Sequence, residues 1–167
     1  MSKRTIYLDM DGVVADFNKF SSQILDIPFD PNITKYNPEQ WAILKEHPRL
    51  YRDLEVKDGG YELVQWCKFY CIKTKSSLLF LTAIPRNDDM PWSFYDKVMW
   101  GNRFFPGIPV LFGPRSKDKH KHCTPGDVLI DDRILNINDW HNAGGIAHTY
   151  TTWEKCKPWL EEKLGAI

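Results

Sequence analysis

Thr5-Ile6-Tyr7-Leu8-Asp9-Met10-Asp11-Gly12 is a short apolar and β-branched run that breaks abruptly into two acids at alternate positions and a glycine. Such a run reads as a buried strand emptying into a loop, which puts the acids at the C-terminal end of the strand. The same arrangement recurs downstream. Leu78 to Leu81 is a second apolar run, ending at Thr82, and Val128 to Ile130 is a third, ending in Asp131-Asp132. Two more short strands are expected at Val110 to Phe112 and Gly145 to His148. Apolar spacing predicts helices between them: Val13 to Ile27, Pro38 to Glu46, Tyr61 to Lys73, Trp92 to Phe105, Ile134 to Asn142 and Trp153 to Leu164, with a basic helical turn at Ser116 to Cys123. Strands alternating with helices predict an α/β fold, a Rossmann-like parallel sheet with helices on both faces. In such sheets ligands bind beyond the carboxyl ends of the strands, so Asp9, Thr82 and Asp131 are expected to meet at one edge.

The chain has 167 residues, enough for one domain with a sizeable core and a small insertion. A hydrophobic fraction of 43% with 14% aromatics excludes disorder. Lys plus Arg and Asp plus Glu are equal at 22 each, so no net field holds a long nucleic acid, although a local basic patch can serve one small anion. No apolar run reaches membrane-spanning length, and the expected location is cytoplasmic. The four cysteines, Cys67, Cys71, Cys123 and Cys156, lack the density of a disulfide scaffold and read as free thiols. Cys67 with Cys71, and His120, His122 and Cys123, raise a zinc site as an alternative, but no CxxC or HxxxH spacing supports it. His47, His148, Trp92 and Trp100 read as structural residues.

Asp9, Asp11, Asp131 and Asp132 bring four carboxylates to one rim, where they repel unless a hard cation joins them. Magnesium suits such an oxygen set, and Gly12 lets the backbone turn closely around it. The plainer reading makes these acids turn and helix-cap residues. Two acidic pairs at strand ends, with Thr82 and a lysine cluster between them, favour the chemical reading.

Leu8 to Phe17 resembles the first motif of the haloacid dehalogenase superfamily of phosphatases, Leu81-Thr82-Ala83 the second, the lysine-rich Ser116 to Lys121 the third, and Leu129 to Arg133 the fourth. Asp11 to Phe17, Arg52-Asp53-Leu54-Glu55 before Gly59-Gly60, and Pro125 to Asp132 are similar to the 5'(3')-deoxyribonucleotidases, including small bacterial and phage relatives. The resemblance implies a core of residues 1–16 and 76–167, with residues 17–75 forming a small helical cap and return helix. It implies Asp9 as nucleophile and Asp11 as general acid and base. Asp9, the Asp11 carbonyl and Asp131 would ligate Mg2+, with Asp132 behind them. Thr82 and backbone N–H groups near Asp11 and Ala83 would bind phosphoryl oxygens. Lys119 is the expected catalytic lysine, with Lys121 and Lys117 as alternatives.

Phe17 matches the position where that family stacks an aromatic ring on the base, and Tyr36, Trp41 or Tyr51 would complete the clamp. Arg86, just past Thr82, would reach substrate phosphate or simply face water. The expected substrate is a small nucleoside monophosphate, with no membrane or long nucleic acid as partner, and the chain is expected to be a monomer or homodimer. A nucleic-acid 3'-phosphate end or a sugar phosphate is the second substrate reading. A phosphoaccepting receiver-like signalling domain and a catalytically silent binding module are readings from other classes.

Overall fold

A computed structural model describes residues 3–33, 35–85 and 90–167. The acid-tipped run is β1 (Thr5–Leu8), followed by β2 (Ser77–Thr82), β3 (Val110–Phe112), β4 (Val128–Asp131) and β5 (Ile146–Thr149). They form one sheet in the order β3-β2-β1-β4-β5, with every neighbouring pair parallel. Because side chains alternate along a strand, this sheet has two apolar faces. Ile6, Leu8, Phe80, Val128 and Ile130 join one core cluster, together with Leu63 and Cys67 of α3 (Gly60–Thr74) and Cys156 and Leu160 of α6 (Trp153–Leu164). Tyr7, Leu81 and Leu129 point the other way and pack with Ile137 and Trp140 of α5 (Ile134–Asn142). The continuous apolar runs of β1 and β4 follow from burial on both sides. The chain leaves β1 towards β2 and β3, then crosses to β4 and β5 on the other side. The crevice above β1 is thus the switch point where such sheets bind ligands.

Two further helices, α1 (Phe17–Leu25) and α2 (Pro38–Glu46), pack against each other between β1 and α3. Helix α1 begins at Phe17, four residues later than the apolar spacing suggested. The amides of Val13, Val14 and Ala15 all donate to the Met10 carbonyl, so this stretch is a tight turn with its side chains buried. Asp16 then caps the helix, its side chain accepting from the Lys19 amide at 3.2 Å. Helix α2 starts at Pro38 behind a capping box in which Asn37 and Gln40 each accept from the other's backbone amide.

Helix α4 (Ser93–Phe104) buries Trp100, whose indole donates to the Leu54 carbonyl at 2.8 Å. Trp92 departs from the core reading. It stands outside the first turn of α4 and is 37% exposed, because the residue before a helix need not share the phase of its buried face. His47 stacks edge-on against Phe20, and His148 lies against Trp159, both in packing roles. Ser116–His122 is a 3-10 segment.

Asp127 ties the start of β1 to the loop before β4, accepting from the amides of Thr5 at 2.8 Å and Thr124 at 3.0 Å. Asp127→Ala leaves both donors without a partner and should lower unfolding free energy by about 1–3 kcal/mol. Urea denaturation checks this, and an unchanged midpoint would contradict the assignment.

Candidate active site

Asp9 follows β1 directly, and its amide continues the ladder by donating to the Ile130 carbonyl at 2.9 Å. The side chain is thereby fixed above the sheet. Its Oδ1 accepts from the Met10 amide at 2.8 Å and lies 2.8 Å from Lys119 Nζ. Lys119 comes from the 3-10 segment and is fully buried, with Nζ also 2.7 Å from Asp131 Oδ2. One ammonium therefore bridges the acids of β1 and β4. Of the three lysines left open by the sequence, Lys119 alone enters the core. Lys121 pairs with Asp118 at the surface, and Lys117 is exposed on the wall of the crevice.

Among the described residues, one group of His, Cys, Asp or Glu side chains is close enough to share an ion: Asp9, Asp131 and Asp132, whose ligand atoms lie within 4.8 Å of one another. Cys67, Cys71, Cys123 and Cys156 are free thiols outside it, so the zinc alternative has no support here. Burial drives the Asp9 carboxyl well above its usual range, and Asp131, Asp132 and Asp11 push the same way against Lys119. Asp132 is raised to about 6 by burial and by Asp131, opposed by Lys119 and Arg133. For Lys119, burial disfavours the charge, but Asp131 and Asp9 outweigh it and the ammonium is held more firmly than usual. One lysine does not neutralise this cluster. An all-oxygen donor set with surplus negative charge fits a hard divalent cation such as Mg2+.

The two acids at the end of β4 differ in their contacts. Both Asp131 oxygens are engaged, Oδ1 by the Arg133 amide at 2.9 Å and Oδ2 by Lys119 and by Asn136 at 3.0 Å. Asp131 therefore positions the lysine while staying in the group whose ligand atoms lie close enough to share an ion. The Asp132 carboxylate and Asp9 Oδ2 accept no hydrogen bond among the described residues, which leaves them open to an ion. Asp132 also presses against Gly12, where φ is +84° and a Cβ would collide with its carboxylate. Only glycine allows that approach.

Lys97 of α4 is a site residue that the sequence reading missed. Its Nζ reaches Asp11 Oδ2 at 2.6 Å, Thr82 Oγ1 at 2.9 Å and the Ala83 carbonyl at 2.8 Å, and sits 4.5 Å from the centre of the Tyr51 ring. The Asp11 carboxylate is thus held on Lys97, apart from the ion cluster. A signal existed. Lys97 precedes the buried Trp100 by three residues, so both fall on one helix face, and a lysine on a buried face needs an anionic partner.

Above this floor opens a crevice of about 730 Å³, lined below by Asp9, Asp11, Thr82, Ala83, Lys97, Lys119 and Asp132. Its upper wall carries Phe17, Tyr36, Trp41 and Tyr51. Phe17 stacks on Tyr51 at 5.7 Å between ring centres and meets Trp41 and Tyr36 at 5.9 Å each. Phe17 and Tyr51 are largely covered by these contacts, whereas Tyr36 and Trp41 remain half-buried and offer ring surface to the crevice. Arg86 lies outside the described residues.

A family model described as "5' nucleotidase, deoxy (Pyrimidine), cytosolic type C protein" matches residues 3–159. The chain belongs to that family. This 5'-nucleotidase is therefore a phosphatase of the haloacid dehalogenase type, a hydrolase of phosphoric monoesters. Among solved structures it resembles a hydrolase from Streptococcus pneumoniae TIGR4, with a TM-score of 0.56 and 15% identity over 96% of this chain and 100% of the other. A protein from Thermotoga maritima described as a β-phosphoglucomutase matches at a TM-score of 0.48 and 12% identity, over 96% of this chain and 99% of its own. A search of curated proteins finds no significant match. Among the described residues, no helix of the nucleotidase is long and apolar enough to cross a membrane.

The folded protein holds the Asp132 proton to higher pH than the unfolded chain does. Its contribution to stability is accordingly lost as pH climbs from the ordinary carboxylate range towards about 6, and Asp9 acts in the same direction. In chelator, the melting temperature should fall as pH is raised from about 4.5 to about 7, and fall less in Asp132→Asn. Added Mg2+ should raise it more at the higher pH. Scanning calorimetry checks both trends, and equal slopes in the two proteins would contradict the role given to Asp132.

Proposed function

We propose that the protein is a magnesium-dependent phosphomonoesterase that hydrolyses (deoxy)ribonucleoside 5'- or 3'-monophosphates through an aspartyl phosphate on Asp9. The observation that carries this reading is Asp9 itself, fixed above the sheet beside Lys119 and open on Oδ2 towards a crevice with an aromatic wall. Four free thiols, three of them buried, fit a reducing, cytoplasmic setting.

Asp9 Oδ2, Asp131 and Asp132, with the carbonyl of Asp11, are the groups that would hold Mg2+. When bound, the ion supplies positive charge that keeps Asp9 ionised and offsets the phosphoryl oxygens. The chain's own groups do the rest. Thr82 Oγ1, held by the Lys97 ammonium, presents its hydroxyl to the transferring phosphoryl group opposite Lys119, and the Lys97 charge lies close by. Asp9 attacks phosphorus, the bond from phosphorus to the sugar oxygen breaks, and Asp11 delivers a proton to that oxygen. Asp11 then takes a proton from water as the water oxygen bonds to phosphorus, releasing inorganic phosphate and restoring Asp9. Lys97 places Asp11 for both transfers, since its contacts fix the carboxylate beside Thr82.

The half-buried faces of Tyr36 and Trp41 favour a base-bearing substrate over a bare sugar phosphate, because rings gain by stacking on an aromatic base. Asp9→Asn should abolish phosphate release from every nucleotide in a panel while the protein stays folded. Trp41→Ala should raise KM for nucleotides about tenfold or more, in line with roughly 1–3 kcal/mol per stacked base, and leave p-nitrophenyl phosphate turnover nearly unchanged. Steady-state kinetics with circular dichroism checks both. Residual turnover by Asp9→Asn, or an equal loss on both substrates in Trp41→Ala, would contradict the respective role.

A further inference from the structure

Between α2 and α3 the chain passes through Tyr51, Arg52, Asp53 and Leu54, and three of these residues grip α4. Arg52 donates to Asp96 Oδ1 from Nε at 3.0 Å and from Nη2 at 2.6 Å. Its guanidinium also lies 5.5 Å from the centre of the Tyr95 ring. The Tyr51 ring meets Lys97 Nζ at 4.5 Å, and the Leu54 carbonyl accepts from the Trp100 indole at 2.8 Å. Asp96 and Lys97, side by side on α4, are both buried, at 2% and 3% exposed. One turn of helix thus carries an acid held by the insertion and a lysine that holds Asp11.

The two are coupled through the backbone of that turn. Adjacent side chains on a helix do not face each other, so Asp96 takes its cation from Arg52 and Lys97 takes its anion from Asp11. Helix α4 starts without a side-chain cap among the described residues, and the contacts of Asp96 and Lys97 pin its beginning instead. Removing Arg52 leaves Asp96 a buried carboxylate without the cation that bonds it. Such a group is driven towards water, and the turn that carries it carries Lys97 too. Trp100, one turn further on, keeps the middle of the helix in place, so the displacement falls on the end that reaches Asp11.

We propose that Arg52 and Asp96 are positioning residues for proton transfer to the leaving group: their ion pair clamps the start of α4 to the insertion and so keeps Lys97 on Asp11 and Thr82. This rests on the phosphatase reading above, in which Asp11 delivers that proton. Neither Arg52 nor Asp96 lines the crevice. Tyr51, which stacks on Phe17, belongs to the same segment, so the stretch that backs the aromatic wall also sets the acid.

The test varies the leaving group. With Mg2+ present, kcat/KM covers only the steps up to departure of that group. A p-nitrophenolate leaves without a proton, whereas phenolate and a nucleoside alkoxide need one. In Arg52→Ala, kcat/KM for phenyl phosphate and for a nucleoside 5'-monophosphate should fall about tenfold, and for p-nitrophenyl phosphate less than about twofold. Asp96→Asn leaves no buried charge behind and should give the same pattern, and it decides the matter if circular dichroism shows Arg52→Ala unfolded. Equal losses on all three substrates, the mark of a merely structural role, or no loss in a folded variant would overturn this inference alone. Turnover of none of the three by the unaltered protein would overturn the phosphatase reading and this inference with it.

Discussion

The structure is organised around an unfavourable contact, the packing of several carboxylates at the end of a parallel sheet around one buried ammonium. β1 and β4 are adjacent, and both run straight into acids, so the sheet register itself brings Asp9 and Asp131 together. Lys119 holds the two apart from mutual repulsion, at 2.8 and 2.7 Å. Burial and the neighbouring acids still press Asp9 towards its neutral form, and a neutral carboxyl is a poor nucleophile. In the proposed reaction, the geometry that gathers the acids is thus the geometry that calls for a cation, and metal dependence would follow from the strand order.

The rest of the molecule keeps this cluster in register with the aromatic wall of the crevice. The α1–α2 insertion leaves and rejoins the core at paired points. The Asp16 amide donates to the Glu55 carbonyl at 2.9 Å, and the Lys57 amide to the Val14 carbonyl at 2.8 Å. Lys57 Nζ donates to the Gly12 carbonyl at 2.9 Å. Entry and exit are therefore stapled to the loop that carries Asp9 and Asp11. Phe17 opens the insertion as the first residue of α1 and is the ring on which Tyr36, Trp41 and Tyr51 converge. The aromatic wall and Asp9 are linked through a few residues of backbone.

Much of this was legible in the sequence, for definite reasons. Apolar runs ending in polar residues located β1, β2 and β4, because a strand buried on both faces must be continuously apolar and its end must be polar where it meets a ligand. The phase of Leu63, Trp66, Cys67 and Tyr70 marked the buried face of α3. Val13 and Val14 misled, since a tight turn under a core shows the same apolar density as a helical stripe. The individual contacts of Asp131 and Asp132 depend on which way each side chain turns at the end of the strand, and adjacent residues carry no signal for that. Lys97 was hidden differently: its partners, Asp11 and Thr82, are remote in sequence, and only the fold brings α4 over them.

The central claim is that this convergence of acids turns Asp9 into a nucleophile towards phosphorus. Acid-quenched single turnover of a 32P-labelled nucleoside monophosphate with Mg2+, followed by peptide mapping, tests it most directly. The account predicts transient, base-labile label on the peptide containing Asp9, appearing before free phosphate. Full turnover with label on no residue, or on a peptide lacking Asp9, would contradict it.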